Sequence, residues 1–196
     1  MQTARIRPSV GVALAALLLA APSARSENMP PEQAREVAEE GLKALKKLFR
    51  DDPKDRFLLQ AAVGATGGER MVVVAPTKQL PGEDGKSLPN RGGIVGVIVC
   101  LGDLVTPGKL PLLDAGSYLL VARLTSERKW VLSCVAATGR GAAVLPSELD
   151  SVRGDIDRPL AKLEWKGKKL SLELQFPTFD PDKDDLALKC ELQVEK

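Results

Sequence analysis

The stretch that decides the fold is Ser117–Ala136, SYLLVARLTSERKWVLSCVA. On either side of the polar segment Thr125–Arg128, every second residue lies on the same face of the predicted strand and is aliphatic, aromatic or cysteine. This period of two is typical of a β-hairpin. A lone hairpin is only marginally stable in water, so it needs partner strands. The face that we expect to be buried carries Tyr118, Leu120, Trp130 and Leu132.

Further strands are predicted on both sides of this hairpin. Ile94–Leu101 is apolar on both faces, which indicates a central strand covered on two sides. Turns and loops rather than helices connect the later strands, so we expect a mainly β fold, an antiparallel β-sandwich of about eight strands. The additional predicted strands are Phe57–Val63, Met71–Ala75, Ala142–Leu145, Ala161–Lys166, Leu170–Phe176 and Leu186–Val194.

The segment between residues 51 and 70 allows two interpretations. We favour a strand at Phe57–Val63 because Gly64–Arg70 resembles a turn and a clear β run follows it. Alternatively, Asp52 as N-cap with Pro53 at the first helical position would begin a short helix.

One amphipathic helix is predicted before the β region, at Glu32–Arg50. Its apolar residues recur at intervals of three and four, and its acidic residues come early while its basic residues come late, which complements the helix dipole. We expect the helix to pack on the β domain; the alternative is a helix that docks on a partner.

Residues 1–26 have the features of a secretory signal peptide. Arg5 and Arg7 precede the apolar run Val10–Ala21, and small residues follow it, as at a signal-peptide cleavage site. No cysteine follows the run, so a lipoprotein is not expected, and no later stretch is apolar enough to span a membrane. The predicted organisation is a signal peptide at 1–26, a helical segment at 27–52 and a β-sandwich domain at 53–196, in a secreted or periplasmic protein.

The charge and the aromatic content argue against nucleic-acid binding. Removal of residues 1–26 lowers the count of Lys and Arg from 28 to 25 against 26 Asp and Glu, so the net charge falls from +2 to −1. The chain has only seven aromatic residues, so it lacks both a basic stripe and a stacking platform.

Three cysteines lie in predicted strands, at Cys100, Cys134 and Cys190. An extracytoplasmic location permits a disulfide bridge between two of them. Burial as small apolar side chains is the equal alternative.

No complete catalytic motif is present. The chain has no histidine, which excludes Ser-His-Asp and Cys-His catalysis and histidine-based metal clusters. Ser126–Lys129 matches the S-x-x-K pattern of penicillin-binding enzymes, but it falls in a predicted turn rather than at the start of a helix. Glu148 and Asp150 are close enough in sequence to be considered an acid/base pair, although loops commonly carry two carboxylates. We therefore predict that the protein is not an enzyme and has no organic cofactor.

One acidic segment could hold a cation. Asp180, Asp182 and Asp184 have the spacing of the first ligands of an EF-hand calcium loop, with Glu191 at the twelfth position. The sixth position is Asp185 instead of glycine, and a strand follows instead of a helix, so a looser Ca²⁺ site is the interpretation to test. The alternative is a solvated acidic turn.

The sequence favours a non-enzymatic β-sandwich module that binds a protein, glycan or surface component. The long segments Pro76–Gly93 and Ala137–Pro159 would supply the binding surface, because long loops often carry function. One alternative is a carboxylate-dependent hydrolase that acts on glycans. Another is a structural or assembly protein that docks through its N-terminal helix.

Overall fold

The computed structural model describes residues 28–80, 92–105, 111–152, 156–177 and 184–194 of the 196-residue chain. The predicted signal peptide lies outside these residues. The helices are α1 (Pro31–Leu45) and one-turn 3-10 helices at Lys46–Leu48, Pro53–Asp55 and Leu59–Ala61. The strands are β1 (Val63–Gly67), β2 (Arg70–Pro76), β3 (Gly93–Leu101), β4 (Leu104–Val105), β5 (Pro111–Leu113), β6 (Gly116–Leu124), β7 (Trp130–Ala136), β8 (Gly141–Pro146), β9 (Glu148–Val152), β10 (Leu160–Lys166), β11 (Lys169–Phe176) and β12 (Asp185–Gln193).

The described strands form two main antiparallel sheets. The first has six strands in the order β1-β2-β3-β6-β7-β8, and the second has four in the order β10-β11-β12-β9; β4 and β5 pair separately. The β6–β7 hairpin predicted from the sequence is present, with Leu120 opposite Cys134 and Leu124 opposite Trp130. The mainly β, antiparallel architecture with one helix is therefore confirmed.

The two sheets face each other around a shared apolar core. Leu120 and Leu132 of the central hairpin are fully buried there, together with Trp165 and Phe176 of the second sheet. The buried Tyr118 hydroxyl donates a hydrogen bond to the Asp114 carbonyl oxygen at 2.8 Å, and burial raises the pKa of this phenol to about 12. The expected burial of the Tyr118, Leu120 and Leu132 face is confirmed.

Helix α1 covers the outer face of the six-stranded sheet and forms a third layer. Its buried residues contact a second apolar cluster that includes Val97, Val99 and Leu119 of the sheet. The prediction that the helix packs on the β domain is confirmed, although the α-helix ends at Leu45 instead of Arg50. The apolar face of α1 is thus occupied within its own chain. The buried helix residues are Ala34, Val37, Ala38, Gly41, Leu42 and Leu45.

Gly41 permits this close approach of helix and sheet. A Cβ atom at this position would lie 2.3 Å from Val99 Cγ2 and 3.0 Å from Ser117 Oγ. Carbon atoms in contact are normally 3.5–4.0 Å apart, so any larger residue would force the helix away from the sheet.

The predicted strand at Phe57–Val63 is wrong. Pro53–Asp55 forms a 3-10 turn that the Asp52 carboxylate caps by accepting a hydrogen bond from the Lys54 N–H at 3.1 Å. Phe57 is buried against α1 in the outer core and makes only an isolated bridge to Thr77. The helical alternative was therefore closer to the structure, which contains separate 3-10 turns in place of one continuous helix.

Strand β1 runs through a segment whose glycines predict a turn. A Cβ on Gly67 would lie 2.1 Å from Trp165 Cε2, and one on Gly64 would lie 2.8 Å from Met29. These two glycines give room to neighbouring side chains, which is an established reason for glycine within a strand. The turn itself is shorter, with Gly68 at φ +69.

The second predicted hairpin and the final strand are confirmed. Strands β10 and β11 pair from Leu160–Gln175 to Lys166–Lys169, and Gly167 at their turn adopts φ +59, a conformation that glycine accepts without steric cost. In contrast, Ala137–Pro159 is not one long loop. It contains β8, which includes the predicted apolar edge, and β9, which the sequence analysis missed.

Candidate functional site

A wide groove lies where the chain crosses from the first sheet to the second. Its volume is about 1250 Å³. The β6–β7 turn forms one wall, the β8–β9 crossing forms another, and two residues of β12 complete it. The lining consists of Thr125 to Val131, Pro146 to Asp150, Lys189 and Glu191.

Trp130 is the aromatic residue of the groove lining. It is the first residue of β7, on the same side of the strand as the fully buried Leu132. The residue is partly buried against the core, and it is also one of the residues that line the groove. A partly buried indole at a concave surface can offer both apolar contact area and an N–H donor.

The β6–β7 turn holds its shape through local hydrogen bonds. The Thr125 N–H donates to the Lys129 carbonyl oxygen at 2.8 Å, and the Arg128 N–H donates to the Thr125 carbonyl oxygen at 3.0 Å. The Thr125 hydroxyl oxygen accepts from the Lys129 N–H at 3.2 Å. The turn is thus a fixed wall of the groove.

Arg128 lies in this turn with a left-handed backbone, at φ +59. Among the described residues, it is the non-glycine residue with positive φ. Such a conformation costs roughly 1–2 kcal/mol for a residue with a Cβ atom. A left-handed last residue is common in hairpin loops of this kind, and it is the position of the exposed arginine in the groove lining that makes it a candidate binding residue.

Charges of both signs surround the indole. Lys189 Nζ donates to Asp150 Oδ2 at 2.7 Å, and this hydrogen bond raises the pKa of the lysine. Glu191 pairs with Lys169 at 2.6 Å, and Lys129 pairs with Glu127 at 3.4 Å. Both partners of each pair are exposed, so the pairs are weak and their oxygen and nitrogen atoms are accessible to a ligand.

Glu148 and Asp150 both line this groove. They alternate with Leu149 on β9, so the two carboxylates share one side of the strand. Within the described part of the chain, Asp150 forms an ion pair whereas Glu148 has no basic group within 4.0 Å. The two residues that the sequence suggested as an acid/base pair are therefore brought together in a concave surface, with different surroundings.

The proposed calcium ligands are not assembled into a site within the described chain. Asp180 and Asp182 lie outside the described residues, and Asp184 is exposed just before β12. Among the residues that the structure covers, no group of three or more acidic, cysteine or histidine side chains is placed to hold a metal ion. The calcium site stays a prediction.

The other predicted binding segments have separate outcomes. Most of Pro76–Gly93 lies outside the described residues, which leave out 81–91. The segment Ala137–Pro159 contributes to the groove through Pro146–Asp150, in an ordered strand crossing. Ser126 and Lys129 of the S-x-x-K match lie in the β6–β7 turn and not on a helix.

All three cysteines are free thiols buried in strands. Burial raises the pKa of Cys134 and Cys190 to about 12 and moves the pKa of Cys100 upward as well. Thiols in this state are neutral and unreactive. Of the two alternatives, the structure thus contains buried apolar thiols and no bridge between these cysteines.

Sequence reasoning missed Lys189 and Glu191 as site residues. It assigned Trp130 to the core, against which the residue does pack, but did not predict that Trp130 also lines the groove. The available signal was the position of Trp130 directly after a turn, which places a residue at the end of a strand. No local sequence pattern predicts that Lys189 and Glu191 of β12 line the groove, because only the pairing of β12 with β9 places these residues beside it.

Comparison with known proteins gives no match, since no protein family, curated protein or solved structure is significantly similar to this chain. In the part of the chain that the structure covers, every helix is too short or too polar to cross a membrane.

Proposed function

We propose that the protein is an extracytoplasmic, non-enzymatic binding module and that the groove beside Trp130 binds a glycan. The observation that carries this proposal is the partly buried Trp130 in the lining of a groove whose rim bears acidic and basic side chains. Sugar rings have apolar C–H faces and polar edges. An indole contacts the faces, and carboxylates and amines form hydrogen bonds with the hydroxyl groups.

The local rigidity of the groove supports a binding role. Its walls are a hydrogen-bonded turn and two paired strands, and the Asp150–Lys189 pair holds two rim side chains in place. A preformed site loses little conformational entropy when the ligand binds. An extracytoplasmic location, expected from residues 1–26, would expose the groove to cell-surface or extracellular glycans.

The test is direct binding of defined oligosaccharides to the protein purified from the extracytoplasmic fraction of cells that express the full sequence. Chitohexaose, cellohexaose and xylohexaose serve as probes, and isothermal titration calorimetry measures the Kd. Trp130→Ala should weaken binding by at least about tenfold, because buried aromatic contacts commonly contribute 2 kcal/mol or more.

The matched control is Lys162→Ala on β10, an exposed residue outside the groove. It should leave the Kd unchanged. Failure of all three oligosaccharides to bind at millimolar concentration, or equal binding by the Trp130→Ala variant, would refute a glycan-binding groove.

The carboxylates of β9 support a second candidate function, the hydrolysis of glycans. Glu148 and Asp150 share the groove, and within the described part of the chain Asp150 pairs with Lys189 whereas Glu148 has no basic group within 4.0 Å; glycosidases use two carboxylates that flank the scissile bond. Incubation of the same oligosaccharides with the protein tests this function through the release of reducing ends. Release that Glu148→Gln abolishes would establish the hydrolase, whereas binding without release supports the binding module.

A further inference from the structure

The charges in the lining of the groove do not balance. Four lining residues are acidic and three are basic. A concave surface with a surplus of carboxylates attracts cations and repels anions. The acidic residues are Glu127, Glu148, Asp150 and Glu191, and the basic residues are Arg128, Lys129 and Lys189.

Lys189 is surrounded by carboxylates from both neighbouring strands. Its Nζ donates to Asp150 Oδ2 at 2.7 Å. The register places Glu148 of β9 directly opposite Lys189 on one side and Glu173 of β11 directly opposite it on the other. The hydrogen bond to Asp150 and the charges of all three carboxylates raise the pKa of the lysine. One ammonium group is therefore shared among three acidic side chains.

Two of these three carboxylates have a close basic partner, and Glu148 does not. Asp150 is bonded to Lys189, and Glu173 lies 3.7 Å from Lys162 Nζ. Within the part of the chain that the structure describes, Glu148 has no basic group within 4.0 Å, and its side chain is exposed. The surplus negative charge of the groove is therefore located at Glu148.

Glu148 also lies next to the indole of the groove in the strand pairing. The Ser147 N–H donates to the Trp130 carbonyl oxygen at 3.2 Å, and Glu148 is the residue that follows Ser147. Trp130 and Glu148 both line the groove. A carboxylate accepts short, charge-assisted hydrogen bonds from an ammonium group, and the face of an indole attracts a cation. The two neighbouring side chains thus have the chemistry that recognises an amine.

We infer that the groove selects glycans that carry protonated amino groups, with Glu148 as the acceptor of the ammonium group and Trp130 as the surface for the sugar ring. This inference rests on the proposed glycan-binding function and adds the charge class of the ligand. A neutral glycan would make the contact with the indole and leave Glu148 without a counter-charge.

Arg128 is the feature of the groove that would favour an acidic glycan instead. It lies in the β6–β7 turn, and among the described residues no acidic group is within 4.0 Å of it. Its neighbour Lys129 is already paired with Glu127, so one free cation stands against the surplus of carboxylates in the whole lining. An acidic oligosaccharide is therefore included among the probes.

Three hexasaccharides of different charge test the inference by isothermal titration calorimetry. Cellohexaose is neutral, the β-1,4-linked hexamer of glucosamine has the same backbone with an amino group in place of one hydroxyl on each ring, and the hexamer of galacturonic acid is acidic. At about pH 6, where such amines are protonated, the glucosamine hexamer should bind at least about tenfold more tightly than cellohexaose. The difference should shrink in about 0.5 M NaCl, because salt screens exposed charges.

Two matched variants locate the selectivity. Glu148→Gln removes the charge and keeps the size of the side chain, so it should bring the ratio of the two Kd values close to one. Glu164→Gln makes the same change at an exposed position of β10, outside the groove lining, and should keep the ratio of the wild type. Far-UV circular dichroism verifies that both variants retain the β structure.

Equal affinities for cellohexaose and the glucosamine hexamer would overturn the inference and leave the glycan-binding function standing. Tighter binding of the galacturonic acid hexamer would also overturn it, and so would a Glu148→Gln variant that keeps the preference for the amine. If none of the hexasaccharides binds at millimolar concentration, the glycan-binding function fails and the inference fails with it.

Discussion

Replacement of Gly41 by alanine tests whether the helix layer is as tightly packed as the structure indicates. In an exposed helix the change would stabilise the protein by about 1 kcal/mol, because alanine has the higher helix propensity. Here the new Cβ would lie 2.3 Å from Val99 Cγ2. That is more than 1 Å inside the normal contact distance, and Val99 belongs to a central strand buried on both faces.

The packing cost should exceed the gain in propensity. Overpacking in a closed core costs about 1–3 kcal/mol, and the short contact with a branched side chain places Gly41→Ala at the upper end. We expect a net loss of about 2 kcal/mol in the free energy of unfolding. Urea denaturation at 25 °C, followed by far-UV circular dichroism, measures this loss as a lower midpoint at an unchanged slope.

Two further variants separate packing from propensity. Ala44→Gly, at an exposed position of the same helix, should cost about 1 kcal/mol through propensity alone. In a Val99→Ala background the obstructing methyl is gone, so Gly41→Ala should there be neutral or stabilising. If Gly41→Ala stabilised the otherwise unchanged protein, or had the same effect in both backgrounds, the reasoning would be refuted.

Three other variants or conditions test separate parts of the molecule. Gly67→Ala should lower the free energy of unfolding, measured by urea denaturation, by about 3 kcal/mol, because the new Cβ would lie 2.1 Å from Trp165 Cε2. The control Gly68→Ala, in open surroundings at φ +69, should lower it by only about 1 kcal/mol. Arg128→Gly should raise the Tm slightly, because glycine adopts a positive φ without the steric cost that arginine has at φ +59. The same variant should weaken oligosaccharide binding. A lower Tm would show that the backbone of Arg128 is not strained. Burial raises the pKa values of the three thiols and Tyr118, so the folded chain retains protons that the unfolded chain loses above about pH 9. The contribution of these groups to the free energy of unfolding should therefore be unchanged between about pH 6 and pH 8 and fall as the pH rises further. An increase above about pH 8 would show that these groups are not buried as neutral acids.

The parts of the fold that the sequence predicted correctly are those in which one side of a strand faces solvent. Along β10, β11 and β12 every second residue is apolar, because the second sheet has one buried and one solvated face. Strand β3 was also recognised, since its two covered faces make a continuous apolar run. In these cases the local pattern follows directly from burial.

The missed elements depend on contacts that the local pattern does not contain. Gly64 and Gly67 give β1 the appearance of a turn, although they are required by Met29 and Trp165 from distant parts of the chain. Strand β9 has exposed and half-buried residues along its whole length, so it shows no clear alternation. The groove combines segments from β6 to β12, and only the sheet register brings them together.

The distribution of charge explains why the proposed binding groove lies on the side of the β8–β9 crossing. Across the outer face of the four-stranded sheet, the register places Lys162, Glu173, Lys189 and Glu148 in one row. Opposite charges directly across neighbouring strands attract each other, so beyond the groove, which Lys189 and Glu148 also line, this face offers little to an apolar contact. The opposite face of the molecule is covered by α1. The side with Trp130 is where apolar surface lies next to ordered backbone in a groove, and a ligand gains most from burying it there.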